Sequence, residues 1–534
     1  MTDEDVDYDL VVIGAGINGA GIARDAATRG LRVLLLEKAD FGAGTTSWSS
    51  RLIHGGLRYL EYGEIPLVFE SLRERRLLQT LAPHLVNRLR LSIPVYSGGR
   101  RSRFIIRLGM IAYDLLSLGK SVPRHRMLSR AEMTALLPGL NSENLVGGAQ
   151  YYDAQIRYAE RLVVENVFAA SMAGAEVRNY CPLIGINVLR GKLQSIHYAD
   201  ESTGEEVEVT TRLAVNAAGP WVDRVLATVN REMPEYMGGT KGSHIVVNSF
   251  DGAPEDALYV EAKSDGRPFF IIPWNGQYLI GTTDIRYSGD PSDVTASEEE
   301  IEYLLDETNR VFPAANLRSS DINFAYAGVR PLPRKANRPE SAITRKHIIV
   351  KHRRLAKGLV SVIGGKLTTY RNLSEIVVDY VCRKLQHKDA ECITDTVPLP
   401  GAVGINPAMR MLEQIETLSD TGRQRLIDVY GGRAAAIADR AFATPGLAAT
   451  LDDQQTVLAA EVGFVIEEEF AKTLIDIVHR RLMIGLEPGQ GAAVAGPIAE
   501  LAAPLLGWGR SETAKQIRAL DDYNRRLRPF DANS

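Results

Sequence analysis

The sequence predicts an α/β protein in three parts: a parallel-sheet domain, an antiparallel α+β domain inserted into it, and a helical cap domain at the C-terminal end. Three observations lead there. A strand, a glycine-rich turn and a helix open the chain. A middle region, 240–345, alternates short strands with one acidic helix. After Pro398-Leu399-Pro400-Gly401 the composition shifts to alanine-rich helical sequence. At 534 residues the chain exceeds one compact core, so several domains are expected.

The opening unit justifies the parallel sheet. Tyr8 to Ile13 reads YDLVVI, an apolar run suited to a strand covered on both faces. Gly14-Ala15-Gly16-Ile17-Asn18-Gly19 follows as a complete GxGxxG, then a helical pattern to about Thr28 that stops at Arg29-Gly30. Leu31 to Leu36 is a second buried strand ending in Glu37, with Lys38 beyond it. Gly14 permits the tight turn, Gly16 admits a pyrophosphate close to the backbone, and Gly19 lets helix and strand pack. The helix start offers N–H groups and a positive dipole end to phosphate. Glu37 can accept hydrogen bonds from ribose hydroxyls. With strand, loop, helix, strand and acid all in order, the unit reads as a Rossmann-like dinucleotide site.

FAD and NAD enzymes share such a unit. The next segment, 42–51 (GAGTTSWSSR), points to FAD. The hydroxyl and backbone donors of Thr45, Thr46, Ser47, Ser49, Ser50 and Arg51 can wrap the second half of a permanently held dinucleotide, where a soluble NAD dehydrogenase would continue its βαβ repeat.

Composition narrows the partners. Net charge is −4 and pI about 6.2, so a basic nucleic-acid surface is not expected. Cys181, Cys382 and Cys392 form no CxxC and no metal-ligand spacing, so neither a disulfide framework nor a metal is expected. The acidic start, Met1 to Asp9, lacks the basic region and apolar core of a signal peptide, and no stretch reaches the roughly 20 apolar residues of a membrane span. The expectation is a cytoplasmic protein or one on the cytoplasmic face of a membrane.

Residues 50–62, SRLIHGGLRYLEY, carry a family resemblance. So do Val215 to Trp221 (VNAAGPW), Lys241-Gly242-Ser243-His244, Ile272-Pro273-Trp274, Gly281-Thr282-Thr283-Asp284, Ala327 to Leu332 (AGVRPL), Ile343-Thr344-Arg345, and Gly364 to Arg371 (GGKLTTYR). Together they resemble the FAD-dependent, respiratory glycerol-3-phosphate dehydrogenases of the D-amino-acid-oxidase-like flavoproteins, over about residues 8–375. The resemblance implies oxidation of sn-glycerol 3-phosphate to dihydroxyacetone phosphate, with hydride passing to FAD and electrons to a membrane quinone. Two alternatives keep the fold and change the chemistry: a glycerol-3-phosphate oxidase using oxygen, or another flavin oxidase of the group.

The resemblance also implies further flavin contacts at His54, Gly55, Gly56, Val177, Ala218, Gly219, Trp221, Gly365, Lys366, Leu367 and Thr368. A dianionic phosphate and a secondary alcohol call for several fixed cations and one base. Arg58, Arg330, Arg345 and Lys366 stand beside glycine or proline or at strand ends, where arginine suits bidentate phosphate recognition. Tyr59 and Thr368 are further substrate-contact candidates. His54 and His244 are both candidate bases, since neutral imidazole can take the hydroxyl proton. His54, between the flavin loop and Arg58, is favoured, with His244 contacting substrate.

A discontinuous FAD-binding domain is expected at 1–90, 145–240 and 345–398, the inserted substrate domain at 91–144 and 241–344, and the helical domain at 399–534. The basic stretch Val478-His479-Arg480-Arg481-Leu482 has two readings: it docks on the catalytic part, or it is a solvated helix face. Segment 100–126 has an apolar centre, Phe104 to Leu118, between clusters of Arg and Lys. It reads as a core helix with basic ends or as a helix lying in a membrane interface. Quinone reduction favours the second, making the membrane surface a partner; a homodimer is also compatible with the sequence.

Overall fold

The structure is a computed structural model that describes residues 6–99, 101–117, 119, 122–334, 345–387 and 391–528. The first sheet has strand Tyr8–Ile13 near its centre. Val33–Leu36 and Glu205–Asn216 flank it in parallel, and Glu176–Arg178 and Leu359–Ile363 extend it on either side. The central strands are apolar throughout because both faces are covered: Val11, Val12, Leu34 and Leu35 are fully buried. The helix Ile17–Thr28 packs on one face with Ala159–Met172 and Tyr370–Leu385. A Cβ on Gly19 would stand 1.8 Å from the carbonyl oxygen of Gly14, so that helix reaches the strand only because position 19 is bare. Gly14 has φ of +97°, and a side chain there would also strike Ala218.

Among the described residues the second sheet has ten strands and carries the expected inserted domain, including Thr240–Val247, Pro268–Trp274, Gln277–Gly281 and Ile322–Arg330. Its membership differs from the expected boundaries. Leu145–Ile156, read from the sequence with the FAD-binding domain, pairs along its whole length with Val86–Tyr96, from Val86 opposite Ile156 to Tyr96 opposite Leu145. A hairpin-like pair of that length cannot be divided between two sheets, so both strands belong to the second one, as does Leu52–Ile53.

The C-terminal region is helical, from Ile405–Leu412 to Arg510–Arg526. The basic stretch lies largely in a π-helical segment, Asp476–Arg481. The core of this domain is continuous with that of the second sheet: one apolar cluster runs from Tyr151, Trp274 and Phe324 of the sheet into Tyr430 and Phe464. The basic stretch docks. Asp40, just past the second strand, is fully buried and accepts from Arg480 Nε at 2.6 Å and from both Arg481 Nη atoms at 2.8 Å. Burial alone would push the Asp40 carboxyl up, but Arg481 and Arg480 outweigh it and hold it at about 2.

Candidate active site

Two adjoining cavities lie between the sheets. The larger, about 940 Å³, is bounded by Gly14, Gly16, Ile17 and Asn18 at the glycine turn, by Glu37 and Lys38, and by Ala218, Gly219 and Trp221. The smaller, about 290 Å³, is bounded by Ser50, His54, Tyr59, His244, Phe270, Asp284, Arg330, Arg345 and Thr368. Thr45, Trp48, Ser49, Gly328, Lys366 and Leu367 border both.

Local hydrogen bonds shape the larger cavity. Thr46 Oγ1 accepts from Ile17 N at 3.2 Å, tying the hydroxyl-rich loop to the helix start. Asn18 Nδ2 donates to Gly364 O at 3.3 Å, joining the two glycine turns. Glu37 accepts from Ala15 N at 2.7 Å and Ala39 N at 3.1 Å, so it fixes the turn as well as facing the cavity. Lys38 Nζ stands 4.0 Å from the Trp221 ring centroid. Asn18 Oδ1 and Trp221 Nε1 are buried with no hydrogen-bond partner among the described residues. A Cβ on Gly16 would meet nothing closer than Thr46 Oγ1 at 3.5 Å. Open backbone at the helix start and unsatisfied donor and acceptor atoms fit an elongated polar cofactor such as FAD.

Several expected cofactor residues lie elsewhere. Arg51 is turned into the protein, with its Nη atoms on Glu160 at 2.7 and 2.8 Å and on Ser47 O at 3.0 Å. Ser47 is buried and donates to Gly42 O. Gly55 is covered by Tyr113 and Leu72, and Gly19 by Gly14. Ala15 acts through its N–H on Glu37, and Val177 pairs with Leu35 in the sheet. Ser50, His54, Gly56 and Thr368 border the smaller cavity only. The Arg58 side chain, and the expected motif residues Ile343 and Thr344, lie outside the described residues.

The smaller cavity is cationic. Arg330 Nη1 meets Asp284 Oδ1 at 3.0 Å, and its Nη2 donates to Thr282 Oγ1 at 2.9 Å and Thr283 O at 3.0 Å. Arg345 approaches the other Asp284 oxygen at 3.6 Å. Arg267 donates to Asp284 O at 2.6 Å. Lys366 Nζ donates to Ser71 Oγ at 2.9 Å and lies 4.6 Å from the Tyr59 ring centroid. With Arg51 neutralised by Glu160, four cations (Arg267, Arg330, Arg345, Lys366) face two carboxylates (Asp284, Glu64) among the described residues. That excess matches a dianion. Burial pulls Arg330 down to about 10 and Lys366 to about 7.

The two histidines differ. His244 is buried, stacks on Tyr326 at 4.9 Å and shares a 2.8 Å hydrogen bond between Nε2 and Ser50 Oγ. His54 bonds through its backbone: its N–H donates to Thr368 Oγ1 at 3.2 Å. Its ring stands edge-on to Phe270 at 6.4 Å. Burial first, and then Lys366 and Arg75, push His54 down to about 3; burial, Arg330 and Arg51 do the same to His244. Both are neutral near pH 7 and able to accept a proton. Beneath His54, Gly55 N donates to Tyr113 Oη at 3.0 Å, and Tyr113 donates to Asp153, which Arg75 pairs at 2.5 Å.

Sequence reasoning assigned no role to Asp284 and Arg267. Asp284 stood in a quoted motif, GTTD, and a cluster of separated arginines implies a carboxylate to hold them. Arg267 follows the turn Asp265-Gly266 and carries no local signature.

A glycine-turn nucleotide cavity opening onto a cationic, histidine-bearing pocket defines a dinucleotide-dependent oxidoreductase. The chain belongs to the FAD-dependent oxidoreductase family, which matches residues 9–371. Residues 392–513 match a second family, described as the C-terminal domain of alpha-glycerophosphate oxidase. The glycerol-3-phosphate dehydrogenase of Synechocystis sp. is 46% identical over 97% of this chain and 96% of its own. That of Mycobacterium leprae is 35% identical over 97% and 88%. The crystal structure of glycerol-3-phosphate dehydrogenase from Bacillus halodurans complexed with FAD superposes with a TM-score of 0.79 at 27% identity, over 98% of this chain and 96% of that one. FAD is the cofactor, as expected from the loop at 42–51.

Proposed function

We propose that this chain oxidises sn-glycerol 3-phosphate to dihydroxyacetone phosphate. The excess of two positive charges in the smaller cavity, directly against the FAD cavity at Lys366 and Leu367, carries the reading. Its relatives named glycerol-3-phosphate dehydrogenase, 46% and 35% identical over nearly the whole chain, support it. Bound FAD supplies the hydride acceptor. Arg330 and Arg345, oriented by Asp284, hold the phosphate. Lys366, at the shared wall, holds the C2 oxygen. His54 takes the hydroxyl proton, because neither of its ring nitrogens carries a hydrogen bond among the described residues, whereas Nε2 of His244 is engaged by Ser50 and its Nδ1 is buried. His244 then positions the substrate. Anaerobic mixing with glycerol 3-phosphate should bleach the flavin's visible band, and glycerol or amino acids should not; bleaching by an amino acid instead would overturn the substrate class.

Electrons leave, in this proposal, to a quinone at a membrane surface. The helix Arg103–Leu116 turns Ile106, Met110 and Tyr113 inward and leaves Phe104 68%, Leu108 51% and Leu115 62% exposed on one stripe, with Ile65 exposed on the helix beside it. Arg107 is exposed next to that stripe, as a headgroup contact would need. Arg101, expected to do the same, is instead bound by Glu61 and Glu261, so the apolar stripe is the surface to test. Among the described residues no helix is long and apolar enough to cross a membrane. Each buried apolar side chain contributes about 1.5–3 kcal/mol. Phe104→Ser, Leu108→Ser and Leu115→Ser together should therefore cut flotation with anionic vesicles at least tenfold and leave turnover with a soluble dye within twofold. Undiminished flotation would refute the assignment. Peroxide formed at the rate of substrate oxidation would assign oxygen as acceptor in place of quinone.

A further inference from the structure

We infer that the C-terminal helical domain is part of the FAD site, closing the Glu37 end of the cavity. Three observations converge. The wall there is made by Thr473, Arg480 and Tyr523 of the helical domain, facing Glu37, Tyr180 and Cys181 of the nucleotide domain. Arg480 is oriented before any ligand arrives, because Asp40 holds its Nε at 2.6 Å and Asp476 its Nη2 at 2.5 Å. The loop after the second strand is latched from the same side. Asp40 is fully buried between Arg480 and Arg481, Asn179 donates to Asp40 at 3.2 Å and to Phe470 O at 2.9 Å, and Lys472 Nζ donates to Asn179 O at 3.1 Å.

The same loop carries Glu37, whose carboxylate fixes the glycine turn through Ala15 N. Cys181 N and Tyr180 N donate to Glu37 O and Ala39 O, so the ribose-facing acid, the glycine turn and the helical domain form one connected unit. Tyr180 Oη donates to Asp476 Oδ1 at 2.7 Å, and Asp476 Oδ2 accepts from Lys472 N and Thr473 N at 2.9 Å each, which holds the wall itself in place. A buried carboxylate bridged by two arginines requires both domains to be seated, since separation would leave uncompensated charge on each side. Loosening the wall therefore opens the nucleoside end of the cavity to water and speeds cofactor loss. The substrate pocket, bordered by none of these side chains, keeps its shape.

The test measures retention of FAD, not turnover. Holoenzyme is diluted and released FAD is followed by its recovered fluorescence, with the rise in melting temperature on adding FAD to stripped protein as a second measurement. Arg480→Ala and Tyr523→Leu should each raise the release rate at least tenfold and shrink the FAD-dependent rise in melting temperature. Arg440→Ala, which cuts ion pairs with Glu467 and Glu468 away from the cavity in the same domain, should leave retention unchanged. Release at the parent rate from both cavity variants would overturn the inference. If Arg480→Ala does not yield folded protein, Tyr523→Leu, which cuts no ion pair, decides alone, and parent-like retention then refutes the role. A parent chain that binds no FAD would refute the cofactor assignment itself, a different outcome from a parent and variants that release it equally.

Discussion

Arg330→Met is expected to lower kcat/KM for glycerol 3-phosphate by about 10³-fold or more, with FAD still bound. The magnitude follows from what the guanidinium does. It is a half-buried cation in a pocket with an excess of two positive charges, facing a ligand with two negative ones. A hydrogen bond to a charged group contributes about 1.5–3 kcal/mol, and arginine can offer two to a phosphate. Removal also leaves Asp284 with Arg345 at 3.6 Å as its nearest compensating side chain, so a carboxylate in the pocket becomes a repulsive neighbour for the substrate. At 1.36 kcal/mol per factor of ten, a loss of about 4 kcal/mol gives the stated drop. Arg330→Lys should lose part of it, because an ammonium keeps the charge but cannot span Asp284, Thr282 Oγ1 and Thr283 O at once. Steady-state kinetics of both variants, with flavin content measured from the visible spectrum, check the ordering. A Met variant within tenfold of the parent would remove Arg330 from the phosphate site.

The parallel sheet and its glycine turn were legible because their constraints are local. Gly14 has positive φ and Gly19 abuts a carbonyl, and both facts are written in the spacing of the motif. The strands of the inserted domain were legible by alternation. Their partners were not, because antiparallel pairing across about 50 residues leaves no trace in either strand alone, and the pairing of Leu145–Ile156 with Val86–Tyr96 was not legible for that reason. At the site, the arginines could be anticipated from the chemistry of a phosphate. What each arginine holds could not: Arg51 and Arg330 look alike in sequence, both beside small residues in family motifs, yet one is matched by Glu160 and the other by Asp284 in the pocket. The role of the helical domain is the clearest case. Arg480 and Arg481 form a basic pair in a helix, equally suited to solvent, and only the position of Asp40, some 440 residues earlier, decides their burial.

His54→Asn should lower kcat by about 10²-fold or more, the usual contribution of a positioned base, while His244→Asn should act mainly on KM. The pH profile separates the groups further. Both imidazoles are pushed to about 3 by burial and nearby cations, so neither gains a proton near its ordinary value, and no histidine limb is expected between pH 5 and 8. Two other groups titrate there. A phosphate monoester becomes dianionic above about pH 6, which raises kcat/KM on the acid side. Lys366, pulled to about 7 by burial, is a cation below that pH and neutral above it. The charged form is the one that holds an anionic ligand, so kcat/KM should fall as pH rises through about 7. The change should sit in KM more than in kcat, because bound dianion favours the protonated amine and carries its titration to higher pH. Lys366→Arg should abolish this alkaline limb, since guanidinium keeps its charge throughout. An alkaline limb that survives Lys366→Arg would reverse the assignment, making the lysine a fixed cation whose titration does not set the limb.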